Sequence, residues 1–230
     1  MTISKKICVS AVVMAAAAFS GSASATLITY TNLAAFQAAS GATTLETFST
    51  APVGFSNSNY SRSFNGFTLS SVSNGDRSGI ATGTIGNGGG SENHAVPAPF
   101  SGQNFYGWGQ GGDGGVGPTT TFNFTAGTRA FGFDWFNTDD TDNYTLTVNS
   151  LTTEVFHFNS SGFFGIVATA GESFSVATIQ TQSRGGYIST EGLDNVRVST
   201  VPEPTSLALL GLGMFGMGAI RRKAGKNKNA

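Results

Sequence analysis

Two apolar runs with basic flanks stand at opposite ends of this 230-residue chain, and the stretch between them contains no lysine. That arrangement confines any folded body to the middle. All five lysines, Lys5, Lys6, Lys223, Lys226 and Lys228, belong to the ends, so the cations from Thr26 to Thr200 are Arg62, Arg77, Arg129, Arg184 and Arg197. Twelve acids oppose those five arginines, giving the body a net charge of −7 that the overall −1 conceals. A lysine-free acidic surface has no footprint for phosphate backbones, which are held by clustered Lys and Arg, so nucleic acid is excluded as a partner. The single cysteine, Cys8, lies in the first apolar run and leaves the body without a disulfide or a thiol nucleophile.

At the N-terminus, Lys5 and Lys6 precede the apolar residues 7–19, and Gly21-Ser22-Ala23-Ser24-Ala25 follows. Basic, apolar and small residues in that order predict a secretory leader over residues 1–25. Signal peptidase would read Ala23 and Ala25 and cut after Ala25.

At the C-terminus, Val201-Pro202-Glu203-Pro204 leads into an apolar, glycine-rich run and then Arg221-Arg222-Lys223. As a helix, residues 205–220 reach about 24 Å at ~1.5 Å per residue, against a hydrocarbon core of ~30 Å, so the segment spans only just. Pro202 and Pro204 keep the preceding stretch extended, a form that suits a protease. The tripartite order of Pro-Glu-Pro, short membrane helix and basic stop resembles the PEP-CTERM sorting signal of exosortase substrates. The resemblance covers about the last thirty residues. It implies transient anchoring in the inner membrane, processing near Pro202, Glu203 and Pro204, and delivery to the surface or extracellular matrix of a Gram-negative bacterium. Positive charge at both ends places both on the cytoplasmic side, and hence the middle outside.

The domain plan is therefore a leader (1–25), an exported body (26–200) and a sorting tail (201–230). Short alternating segments in the body predict an all-β antiparallel sandwich or jelly roll. The expected strands cover residues 27–30, 45–48, 67–72, 122–124, 130–136, 144–148, 151–158, 163–167, 174–179 and 193–198, with a hairpin turn at Asn149-Ser150. Thr31-Asn32, Leu33, Phe36 and Gly41 predict one helix of about two turns. Residues 79–118, dense in glycine, read as long loops around one or two short strands. The body resembles the generic β-sandwich bodies common among PEP-CTERM proteins.

No Gly-x-Ser-x-Gly elbow, HExxH helix, P-loop or CxxC pair accompanies His94 or His157, so no catalytic residue is assigned. His157, between Phe156 and Phe158, reads as a solvent-facing strand residue. Asp134, Asp139, Asp140, Asp142 and Asn143 offer hard oxygen ligands of the kind calcium takes, or else a solvated loop of Asx turns. A second calcium pairing joins Glu46 to Asp194, through an architectural resemblance to jelly-roll carbohydrate-binding modules with a structural ion. Tyr106, Trp108 and Trp135 are candidates to stack on sugar rings, or else to fill the core as most aromatics do. The PEP-CTERM resemblance implies an exported, non-enzymatic surface protein, structural or adhesive in an exopolysaccharide or biofilm matrix. The alternatives are a carbohydrate-binding module and a secreted glycan hydrolase, the latter needing two carboxylates across a cleft.

Overall fold

The structure is a computed structural model that describes residues 26–56, 58–73, 77–82, 85–86, 93–94, 96–110, 116–138, 143–156, 160–169, 172–182 and 189–200. The expected leader, with Ala23 and Ala25, and the tail, with Pro202, Glu203, Pro204, Arg221, Arg222 and Lys223, lie outside the described residues. Among the described residues no helix is long and apolar enough to cross a membrane.

The body is antiparallel β throughout, with one helix. Its strands are β1 (Leu27–Tyr30), β2 (Thr44–Glu46), β3 (Gly54–Ser56), β4 (Tyr60–Phe64), β5 (Phe67–Val72), β6 (Arg77–Thr82), β7 (Ile85–Gly86), β8 (Asn93–His94), β9 (Asn104–Gln110), β10 (Val116–Asn137), β11 (Asn143–Val148), β12 (Leu151–Phe156), β13 (Ser160–Ala168), β14 (Phe174–Gln182) and β15 (Ser189–Thr200). Helix α1 (Leu33–Ser40) follows β1.

The spine is β10, which belongs to both layers. Its first half pairs with β5 and β14, and its second half with β13 and β15. The register breaks between Asn123 and Thr128, where the strand turns from one layer into the other. Residues 122–124 and 130–136, expected as separate strands, are the two halves of this element. One layer then runs β12-β11-β14-β10-β5-β4. The other runs β1-β13-β10-β15-β9-β6-β3, with β2 on the far end of β15.

Period-two alternation turns one side of every central strand into the space between the layers. Phe131 of the second layer packs on Phe122 and Phe124 of the first, with ring centroids 4.8 Å and 5.2 Å apart. Phe133, Leu146, Ile166, Ile179, Leu193 and Val196 join the same buried cluster. The outer face of the second layer is covered as well. Helix α1 begins at Asn32, whose Oδ1 accepts from the Ala35 N–H at 3.0 Å, and ends at Gly41 with φ 71°. Its Phe36 lies where Gly132 and Gly165 leave room, since a Cβ at Gly165 would come within 2.5 Å of the ring.

Residues 79–118 hold more strand than the sequence reading allowed. Strands β6 and β9 sit inside the second layer, flanked by pairing on both sides. Gly79, Gly107 and Gly192 fall in one row across β6, β9 and β15. Phe136 and Phe105 occupy the space over Gly192, where a Cβ would come within 2.8 Å of both rings. The glycines supply no surface of their own, but they admit their neighbours' rings.

Both ends of the body leave from one pole. Ile28, Val167, Ala130 and Ser199 are matched across three consecutive ladders, β1 to β13 to β10 to β15. Three ladder steps of ~4.8 Å put the first and last strands about 14 Å apart at that level. Strand β15 ends at Thr200, opposite Thr128.

Candidate functional site

The proposed stacking residues are the first to place. Tyr106 and Trp108 alternate on β9 toward the space between the layers and are 0% and 1% exposed. Tyr106 Oη is 3.1 Å from Thr120 Oγ1, and burial pushes its phenol up to about 12. Its ring lies 5.6 Å from that of Trp108, which in turn meets Tyr144 at 6.0 Å. Neither ring is available to a sugar, so the core-filling alternative holds for both. The glycines on either side of Trp108 are both paired in the sheet, Gly107 with Gly79 and Gly192, and Gly109 with Arg77 and Thr190.

Trp135 is 5% exposed and lies against Gly162, its partner on β13. A Cβ at Gly162 would touch the indole at 3.4 Å. The ring borders a pocket of about 150 Å³ with Thr31, Glu154, Val155, Gly162 and Phe163. That is well below the ~300 Å³ at which ordinary ligand sites begin. Tyr106, Trp108 and Trp135 therefore form no common platform.

The carboxylate pair Glu46 and Asp194 does come together, because β2 pairs with β15. Asn195, at φ 52°, makes a bulge opposite β10 that keeps Leu193 and Val196 both inside. Asp194 is buried, and its Oδ1 has no hydrogen-bond partner. Burial first, and then the charges of Asp134 and Glu46, push its carboxyl up to about 7, against the Asn195 N–H and the Arg197 guanidinium. Arg197 donates from Nη1 to the Asn195 carbonyl at 2.7 Å and from Nη2 to Asp134 Oδ2 at 3.5 Å. Glu46 Oε1 accepts from the Phe48 N–H at 2.8 Å, where Phe48 leaves the ladder at φ 54°. Among the described residues no three His, Cys, Asp or Glu side chains are grouped to hold a metal ion. Asp139, Asp140 and Asp142, and His157, lie outside the described residues, as does the side chain of His94.

The cleft of ligand size is on the opposite flank, where sequence reading marked nothing. Strands β3 and β4 are the outermost strands of the two layers on this side. Between them opens a cleft of about 630 Å³ lined by Val53, Phe55, Ser56, Tyr60, Ser61 and Arg62 among others. Gly79, at φ 136°, faces the Gly54 carbonyl so closely that no side chain would fit, which is how β3 reaches β6 here. The floor is aromatic: Tyr60 packs on buried Tyr106 with centroids 5.7 Å apart, and Phe55 packs on the Ala81, Phe100 and Phe136 cluster. Tyr60 Oη is buried with the Arg62 guanidinium beside it; burial raises its pKa, and Arg62 acts the other way. The Arg62 guanidinium stands 5.6 Å above the Phe64 ring and that of Arg77 5.3 Å above Phe55. The signal that could have found this cleft is Tyr60-Ser61-Arg62-Ser63-Phe64, an alternation with one of only five body cations on its polar-aromatic face.

Among solved structures, the chain is similar to a family 29 carbohydrate-binding module at 14% identity, with a TM-score of 0.30, covering 80% of this chain and 97% of that one. It is also similar to a family 11 carbohydrate-binding module from Clostridium thermocellum at 9% identity and a TM-score of 0.33, covering 66% and 99%. A third likeness is to the tailspike protein 4 enzymatically active domain of bacteriophage CBA120, at 11% and 0.32, covering 67% and 20%. Likenesses this faint say nothing about a ligand. Comparison with curated proteins returns no match. The model of the PEP-CTERM protein-sorting motif matches residues 200–223, beginning on the last residue of β15. This protein is an antiparallel β-sandwich that carries a PEP-CTERM sorting motif directly after its final strand.

Proposed function

We propose that the chain is an exported cell-surface protein, cut by signal peptidase and then by an exosortase, whose sandwich serves a structural or adhesive role in the exopolysaccharide matrix of a Gram-negative bacterium. The observation that carries this reading is the sorting motif at residues 200–223, joined to the body without a linker. The body's two ends leave from one pole, an arrangement compatible with export between two membrane-directed flanks. The −7 charge of the body suits a polymer-rich exterior by opposing non-specific association. Replacing Pro202, Glu203 and Pro204 together by alanine tests the sorting step. The expected result is a membrane-retained product that keeps its basic tail. Normal release of a shortened product would contradict processing at this motif.

A second reading, a carbohydrate-binding module, is favoured by the cleft between β3 and β4, which combines ligand-sized volume, an aromatic floor and hydroxyls. None of the described residues lining that cleft is a carboxylate.

A further inference from the structure

Resting on the carbohydrate-binding reading of the β3/β4 cleft, we infer that its ligand is an anionic sugar chain, a polysaccharide carrying carboxylates, with Arg62 as the charge partner of one sugar carboxylate. The inference follows from how the body spends its few cations. Arg197 is committed to Asp134 and the Asn195 carbonyl, and Arg129 donates to the Ala39 carbonyl at 3.3 Å. Arg62 differs from both. Arg197 pairs with Asp134, whereas among the described residues no ion pair is seen at Arg62. It is instead held over Phe64 and beside the Tyr60 hydroxyl, half-buried at the wall of a cleft of about 630 Å³. A guanidinium fixed by an aromatic face presents its planar donors ready for bidentate contact with a carboxylate, at little further cost in side-chain freedom.

The remainder of the cleft matches a pyranose rather than a bare anion. Phe55 and Tyr60 give the cleft half-buried aromatic walls, and Ser56 and Ser61 bring hydroxyls. Val53, 55% exposed, extends the apolar lip along the direction a chain would run. The acidic character of the body does not forbid such a ligand. Exposed charges beyond a Debye length of ~8 Å are largely screened at physiological ionic strength, so a carboxylate seated in the cleft feels the nearby arginine first. The same acidic surface would keep polyanions off elsewhere, which turns one cation into a specific address.

Calorimetric titration of the full-length chain in non-ionic detergent tests this, with tetragalacturonate and its fully methyl-esterified form as probes. The two differ only in charge at the carboxyls. The acid form is expected to bind at least about tenfold more tightly than the ester, and the preference to shrink as NaCl rises. Arg62→Ala should remove the preference, while Arg62→Lys should keep part of it, a point charge being a poorer match than a planar fork. Should Arg62→Ala lower the melting temperature, Arg62→Lys and the acid-against-ester comparison on the unaltered chain still decide the matter. Equal binding of acid and ester would overturn the inference and leave the carbohydrate-binding reading standing. An undiminished preference in folded Arg62→Ala would overturn the site. Binding of neither probe would overturn both.

Discussion

Asp194 shows how one side chain can oppose the fold that contains it. Its carboxyl is buried beside Asp134 and Glu46, and its pKa stands at about 7 instead of 3.8. Below pH ~4 the group is protonated in folded and unfolded chains alike, and it costs nothing. Between pH ~4 and ~7 the unfolded chain releases the proton while the folded chain keeps it, so stability falls as pH rises, and above that window the loss is constant. Asp194→Asn keeps the shape without the charge. Its melting temperature should exceed that of the unaltered protein at pH 8 and converge with it at pH 4, as thermal unfolding monitored by circular dichroism would read. At this scale the sequence was only partly legible. Glu46 and Asp194 lie close enough for their charges to interact, yet the Arg197 guanidinium at Asp134 was not foreseen, because it reaches Asp134 only across the β10–β15 pair. Tyr106 and Trp108 stayed ambiguous for another reason. Alternation tells that two residues share a face, but not which face is buried when both sides of a layer are covered.

At the scale of elements, short apolar alternation marked several strands, though the polar-aromatic alternation of β4 went unread. Strands β1 and β5 have the expected limits, and α1 begins and ends at the expected cap residues Asn32 and Gly41. Strands β6 and β9 were read only as one or two short strands among loops because glycines interrupt their alternation, although Phe105, Phe136 and Gly192 fit together across the ladders. The docking of α1 follows the same logic, with Phe36 seated over Gly132 and Gly165. Gly165→Ala would force a methyl against the Phe36 and Phe163 rings. We expect it to destabilise the protein by about 1–3 kcal/mol, the usual range for overpacking a well-filled core. Phe36→Leu in the same background should recover part of that loss in urea unfolding; equal stability of Gly165→Ala and the unaltered chain would mean that the helix does not seat as described.

For the whole molecule, charge segregation along the chain was the most legible property, and it needed no structure. Lysines at the ends and acids in the middle divide the sequence into flanks and body. What the sequence left unread is that the body closes with both exits at one pole, a consequence of β1 and β15 lying in the same layer three ladders apart. That arrangement suits a domain delivered outside by flanks that stay with the membrane. The most direct measurement is the intact mass of the protein recovered from each compartment of its native host. The account predicts a surface or extracellular species that starts at Thr26 and lacks the basic residues from Arg221 onward. Recovery of the uncut 230-residue chain from the cytosol as the main form would contradict it.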